Sequence, residues 1–252
     1  MAETAAVRSG EYEARGEYHR KLDRKWKYFP VYVCKMAFVR KYLNAKASQQ
    51  QTIDVGCGEG ILVEEYREKG FDIVGLDMNY ESAYVNRGDL TKLPFANESF
   101  DLLTALDVIE HLDFEQQERA LTEIHRILRP GGRALLSIPN LAHIASRVSF
   151  LLAGRLLRTS TIDRHKGDRP IQEYLGLCKK HHLEVMSCKG LFPTLPVLAA
   201  LTCAWPDKVV WLHRIYNVLP LPASYCFLNM VEVRKSETAT LSFKHERPRL
   251  AG

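Results

Sequence analysis

The sequence predicts an α/β protein built on a doubly wound, mostly parallel sheet, and three observations carry that reading. Thr52-Ile53-Asp54-Val55 is a short apolar, β-branched run suited to a buried strand; glycines at 56, 58 and 60 follow, then helical spacing from Ile61 to Tyr66. Phe71-Asp72-Ile73-Val74-Gly75-Leu76-Asp77 then reads as a second buried strand that ends in an acid. Strand and helix patterns go on alternating to about residue 140, which makes the strands parallel and puts helices on both faces.

Size and composition set the bounds. The chain has 252 residues, enough for one domain or one domain with a sizeable insertion, and its composition is that of a globular protein with a proper core. A net charge of +5 permits contact with acidic lipid or nucleic acid without demanding either. The six cysteines show no C-x-x-C pair and no zinc spacing, so they read as reduced thiols in a cytoplasmic protein. The polar N-terminus is not a signal peptide, and the longest uncharged run, 191–206, is broken by Pro193 and Pro196, short of the ~20 apolar residues a spanning helix needs.

In chain order, residues 1–20 are expected to be loosely ordered. Pro30 suits the first turn of a helix whose apolar face is Tyr32, Met36, Val39 and Leu43, with Lys35, Arg40 and Lys41 elsewhere. This helix is expected to pack on the sheet, a lid over a binding site being the alternative. The helix after the glycine turn ends at Gly70. A short helix is expected from Tyr80, and Phe100 to Asp107 reads as another strand. Asp113 caps a helix with Gln116 in the capping-box position, and Phe114, Gln117, Ala120, Leu121, Ile124, Ile127 and Leu128 form its buried stripe. His125 falls off that stripe as an exposed polar residue. Pro130-Gly131-Gly132 stops the helix, and Ala134 to Ile138 is the next strand.

The glycine turn has a chemical meaning. Glycine tolerates unusual backbone angles and lets another molecule approach without a Cβ in the way, and the following helix presents free N–H groups. The spacing G-x-G-x-G departs from the dinucleotide fingerprint G-x-G-x-x-G. Asp54 sits inside the strand, where a buried carboxylate needs a partner. Asp77 lies ~20 residues beyond the turn, where doubly wound folds place the acid that accepts from a ribose hydroxyl.

Together Ile53-Asp54-Val55-Gly56-Cys57-Gly58-Glu59-Gly60, Gly75-Leu76-Asp77, Gly88-Asp89-Leu90, Leu93-Pro94-Phe95, Ser99-Phe100-Asp101, Ile109-Glu110-His111-Leu112 and Leu128-Arg129-Pro130-Gly131-Gly132 resemble a class I S-adenosylmethionine-dependent methyltransferase. The resemblance is to the ubiquinone- and menaquinone-biosynthesis (methyltransferase type 11) subgroup and covers about residues 52–140. It implies a Rossmann-like seven-stranded sheet with an antiparallel last strand, about 225–233, and helical lid insertions. It implies S-adenosyl-L-methionine as cofactor, with Asp54 reaching the methionine ammonium through water, Gly56, Gly58 and Gly60 letting backbone lie against it, Asp77 on the ribose and Met78 against adenine. Asp89 would accept from the adenine amino group, Leu90 would offer a backbone N–H, and Asp107 would border the reacting methyl. A lining of Asp54, Asp77, Asp89 and Asp107 suits a cation and repels a pyrophosphate, which counts against a nicotinamide dehydrogenase.

Some relatives carry Glu-x-x-Glu-His and hold a divalent metal with it. Here the first position is Asp107, a shorter arm, and Glu110 and His111 read as capping and packing residues, so no metal is expected. The acceptor side is less legible. Ile144, Val148, Leu151 and Leu152 form an apolar stripe beside Arg147, Arg155 and Arg158, read as a buried helix with snorkelling arginines, a membrane-surface helix being the alternative. In relatives a histidine borders the acceptor just before the next helix (about 171–181, followed by a strand at 183–187), which makes His165 the candidate catalytic group. Residues 191–223 are rich in Leu, Val, Trp and Pro, with an apolar helix from Val209 to Leu219, and are expected to form a lid.

The expected organisation is an N-terminal arm and helix over 1–47, a methyltransferase domain over 48–234 with insertions at 141–170 and 191–224, and a polar tail over 235–252. The acceptor would be a small or lipid-like molecule offering an O, N or C nucleophile, with nucleic acid not expected and peripheral contact at an inner membrane surface allowed. An RNA or protein methyltransferase is the alternative, although no dense basic patch supports RNA apart from residues 21–42; a non-catalytic binding protein is another.

Overall fold

The structure, a computed structural model, describes residues 22–158, 161 and 163–236. The two polar ends of the chain lie outside the described residues. Seven strands, β1 (Thr52–Val55), β2 (Ile73–Asp77), β3 (Val85–Arg87), β4 (Phe100–Leu106), β5 (Leu128–Pro139), β6 (Leu183–Pro193) and β7 (Cys226–Lys235), form one sheet in the order β3-β2-β1-β4-β5-β7-β6. β3, β2, β1, β4 and β5 pair in parallel, while β7 is antiparallel to both β5 and β6.

Alternation along the strands fills two cores. Ile53, Leu103, Leu136 and Ile138 face α3 (Phe114–Ile127) and α5 (Ile171–Lys180). Ile73, Leu102, Leu135 and Met230 face α1 (Phe29–Lys46), α2 (Ile61–Glu68) and α6 (Pro196–Ala204) on the other side. β1 is buried at every position, as a central parallel strand covered on both faces must be. α4 (Ile144–Ala153) and α7 (Val210–Tyr216) complete the helices.

The capping box closes as the sequence predicts: the Gln116 N–H donates to Asp113 Oδ1 at 2.8 Å and the Asp113 N–H donates to Gln116 Oε1 at 3.0 Å. Several expectations change. No helix follows Tyr80, because the link from β2 to its parallel neighbour β3 is too short to carry one across the sheet. α3 ends at Ile127, and Leu128 to Gly132 already belong to β5, whose pairing with β4 shifts register between Phe100 and Leu102. Phe114 is exposed, with the Arg169 guanidinium over its ring at 4.2 Å, whereas His125 is half-buried beside His182.

Lys35 is buried, not on the polar side of α1, and α1 packs against α7 as well as the sheet. α4 was expected to be buried. Its Val148, Phe150, Leu151 and Leu152 are exposed, and only Ser146 is buried. The stretch after β6 holds two helices: α6 precedes α7, and the Thr202 hydroxyl meets His213 Nε2 at 2.8 Å to tie them. The six cysteines are free thiols. Among the described residues no helix is long and apolar enough to cross a membrane.

Because β1, β2 and β4 run parallel, their carboxyl ends open on one edge of the sheet, where α/β folds place their ligands. The N-terminal turns of α1 reach the same edge.

Candidate active site

A cleft of about 410 Å³ lies on that edge. Its floor is the glycine turn, which takes left-handed angles at Gly56 (φ 68°), Gly58 (φ 55°) and Gly60 (φ 75°). Gly56 and Gly58 line the cleft, and a Cβ on Gly56 would collide with the Val108 side chain. Gly60 does not line it. It is buried at the start of α2, where a Cβ would fall 2.6 Å from Val85 Cγ2, so its absent side chain makes room for β3.

Asp54, Asp77, Met78, Asp89, Leu90 and Asp107 all line the cleft. Asp77 accepts backbone N–H bonds from Gly58 and Asn79, each at 2.8 Å, so the turn itself fixes the carboxylate plane. Asp89 is oriented likewise by the Thr91 N–H at 2.7 Å. Asp54 is 3% exposed and accepts from the Thr104 hydroxyl at 2.6 Å. Burial pushes its carboxyl up to about 7, with Thr104 opposing and the Asp77 charge reinforcing.

Asp107 follows β4 with φ 55°, a left-handed angle that costs a non-glycine residue free energy. The Lys35 ammonium donates to Oδ2 and the Ser137 hydroxyl to Oδ1. Its side chain is 35% exposed, but it sits at the bottom of a concavity. Burial there would raise its carboxyl; Lys35 and Ser137 overcome burial and hold it below the ordinary range. Lys35 therefore matches the charge of Asp107, and the negative lining implied at four positions is concentrated at Asp77 and Asp89. No sequence signal singled out Lys35, since its partner is 72 positions away.

The remaining wall is largely apolar, with Tyr32, Met36, Leu106, Val108 and Leu112, and carries His111 and Arg164 at its rim. His165 does not line the cleft. It is 9% exposed, its Nδ1 lies 3.2 Å from Asp168 Oδ1, and its ring packs edge-on behind His111 at 4.8 Å. His111 is exposed, and its Nδ1 lies 3.1 Å from the Arg164 carbonyl, which accepts only from a protonated nitrogen. Beneath these rings Glu110 is buried with Oε2 unpartnered. Burial, then the Asp107 charge, push its carboxyl up to about 8. Glu110, His111 and His165 each bring one donor atom to within 4.8 Å of the others.

The profile of the family described as "Methyltransferase domain" matches residues 53–136, which span the glycine turn, Asp77, Asp89, Asp107 and the Glu110-His111 pair. The chain carries a class I S-adenosylmethionine-dependent methyltransferase domain. The methyltransferase is 27% identical over 198 residues to a ubiquinone biosynthesis O-methyltransferase of Nitrosococcus oceani, covering 69% of this chain and 80% of that protein. It is 32% identical over 98 residues to a demethylmenaquinone methyltransferase of Renibacterium salmoninarum, covering 35% and 40%. Its fold is shared with an S-adenosylmethionine-dependent methyltransferase of Archaeoglobus fulgidus (TM-score 0.56, 15% identity, 89% and 100% covered). A Pyrococcus horikoshii protein shares it too (TM-score 0.56, 14% identity, 88% and 99% covered).

The methyltransferase uses S-adenosylmethionine as methyl donor, and the cleft fits it. The donor carries a sulfonium and an ammonium and no phosphate, and the groups beside the glycine turn are carboxyls.

Proposed function

We propose that the methyl group goes to a nucleophile, oxygen foremost, on a small acceptor with an apolar portion, such as a hydroxylated ring. The observation that carries this reading is the mixed lining of the cleft: the carboxyls of Asp54, Asp77, Asp89 and Asp107 share it with a set of apolar side chains that includes Tyr32, Met36, Leu106 and Leu112. The names of the relatives, biosynthetic enzymes of ubiquinone and menaquinone, favour the same acceptor class. In this proposal Asp77 holds the ribose hydroxyls, Met78 lies against adenine, Asp89 and the Leu90 N–H read its edge, Asp54 reaches the ammonium through water, and Gly56 and Gly58 admit the donor's backbone-facing side.

Bound donor supplies an electrophilic methyl on sulfur, so the protein's main task is to align the acceptor in line with it. The apolar wall orients the acceptor and excludes water. Lys35 fixes Asp107 at the join between the donor and acceptor halves. His111, at the rim with Nδ1 held by the Arg164 carbonyl, is better placed than His165 to take a proton from an acceptor hydroxyl. The methyltransferase unit in this reading spans 48–234, with the N-terminal helix and the insertions 141–170 and 191–224 shaping the acceptor side. Peripheral membrane contact belongs to the same proposal, because acceptors with long apolar portions partition into lipid.

A second reading of the acceptor side rests on the unpartnered Glu110 Oε2 below two imidazoles. One carboxylate and two imidazoles suit a divalent first-row cation, which would polarise an acceptor oxygen when bound. The test of the main reading is transfer of isotope-labelled methyl from S-adenosylmethionine to a panel of mono- and dihydroxylated rings with and without an alkyl tail. Label on a ring oxygen supports it; label only on RNA or protein, or none with any acceptor, removes it.

A further inference from the structure

α4 is out of place for a helix of its composition. From Val148 onward it is apolar nearly all round, yet Phe150 is exposed, Leu151 is 83% exposed and Leu152 is 80% exposed. Helices with this pattern are ordinarily buried, and an exposed apolar cluster of this kind marks a contact surface. The base of α4 is firmly held: the Ala145 N–H donates to the Thr194 hydroxyl at 3.0 Å, and the Leu157 N–H donates to Ser146 Oγ at 2.9 Å. The helix therefore projects from an anchored base.

Position and charge identify what the projection meets. α4 leaves the carboxyl end of β5 and α6 the carboxyl end of β6, so both stand on the edge of the sheet where the cleft opens, and Thr194 joins their bases. Val197, at the start of α6, is exposed beside them. Residues 141–158 contain three arginines and no Asp or Glu. Arg158 is matched by Asp168 and Arg155 is exposed just after the apolar residues; Arg147, exposed before them, donates to the Ala142 and Ser224 carbonyls at 2.6 and 3.3 Å, which hold its position but leave its charge unneutralised. Two copies of such a face would repel each other, which disfavours self-association. Ten residues of helix span about 15 Å, half of a bilayer core, so α4 suits the interface and cannot cross it.

We propose that α4, with the start of α6, docks the protein on an anionic membrane, Leu151 and Leu152 entering the acyl boundary, Arg155 meeting lipid phosphates and the fixed charge of Arg147 adding to the attraction. The cleft then opens toward the bilayer, from which an apolar acceptor reaches it without crossing water. Only this last step rests on the proposed acceptor class; the docking itself does not.

The experiment is co-sedimentation of the full chain with vesicles of phosphatidylcholine alone or mixed with phosphatidylglycerol, at low and high salt. Calorimetry of S-adenosylhomocysteine binding runs in parallel. Binding is expected to the mixed vesicles and to weaken with salt; the double variant Leu151→Asp/Leu152→Asp should lower partitioning by about tenfold or more, and Arg155→Glu by less. Nucleoside binding should be unchanged in both variants, which also shows that they fold. The proposal is overturned if the wild-type chain ignores anionic vesicles, if the double variant binds them as well as wild type does, or if sedimentation velocity shows a lipid-free dimer that this variant dissolves. Loss of nucleoside binding in the wild type would instead count against the donor site and leave the docking result standing.

Discussion

The Lys35 ammonium of α1 donates to Asp107 at the carboxyl end of β4, an ion pair that joins the N-terminal helix to the floor of the active cleft. Removing one partner leaves the other in a poorly solvated place. Lys35→Met should therefore destabilise the fold by about 1–3 kcal/mol, less than for a fully buried pair because Asp107 is partly exposed. The double variant Lys35→Met/Asp107→Asn should regain part of the loss in urea unfolding. The sign with pH follows from the lowered carboxyl of Asp107: its contribution is complete above the ordinary carboxylate range near pH 4 and fades as pH falls through its folded value. If the single variant unfolds at the wild-type urea midpoint, the pair has no part in holding α1.

Gly56 offers a separable pair of effects. Its φ of 68° disfavours any L side chain, and a Cβ would strike Val108. Gly56→Ala should cost about 1–3 kcal/mol. Adding Val108→Ala should relieve the steric part and leave the backbone part, so recovery in thermal unfolding should be incomplete. Full recovery would mean that the left-handed angle carries no cost here.

Asp54 makes stability fall with rising pH. Its carboxyl titrates near pH 4 in the unfolded chain and at about 7 in the fold. Between those values the native state holds the extra proton, so unfolding free energy declines as pH rises and levels off above the folded value. Asp54→Asn keeps an oxygen for the Thr104 hydroxyl and should remove that slope, its advantage over wild type growing from pH 4 to 7. Donor binding near pH 6.5 should release a proton as Asp54 ionises beside a cation, seen as a calorimetric enthalpy that depends on the buffer. A buffer-independent enthalpy would place the ammonium elsewhere.

The first half of the domain was far more legible in the sequence than the stretch after residue 140, and the reason is range. The glycine turn, Asp77 and the Asp113–Gln116 capping box are set by residues within one strand-turn-helix or one helical turn, so spacing exposes them. Lys35 looks like an ordinary solvent-facing lysine until β4 brings Asp107 to it. The Gly60 environment depends on Val85, a residue of a three-residue edge strand whose pattern is too short to read. α4 misled for a different reason: apolar periodicity reports a buried face only when the chain itself supplies the cover. That His111 lines the cleft while His165 packs behind it could not be read before the loop that carries Arg164 was placed.

The three-donor cluster below the rim makes the most discriminating prediction. Glu110, His111 and His165 lie close enough to share a cation, and the unpartnered Glu110 Oε2 is the atom such an ion would satisfy. Dialysis against a chelator should then lower turnover, with manganese or zinc restoring it, while affinity for S-adenosylhomocysteine stays constant because none of the three residues is among the proposed donor contacts. Glu110→Gln and His165→Ala should each reduce kcat by at least about tenfold, although His165 touches neither the cleft nor, in this reading, the acceptor. A role for His111 as sole base gives the opposite pattern. Chelation then has no effect, His111→Ala alone abolishes turnover, and His165→Ala lowers it only by loosening the ring it packs against. Measuring metal content, turnover and donor affinity on the same three variants separates the two arrangements, since only a shared ion makes all three losses converge on kcat.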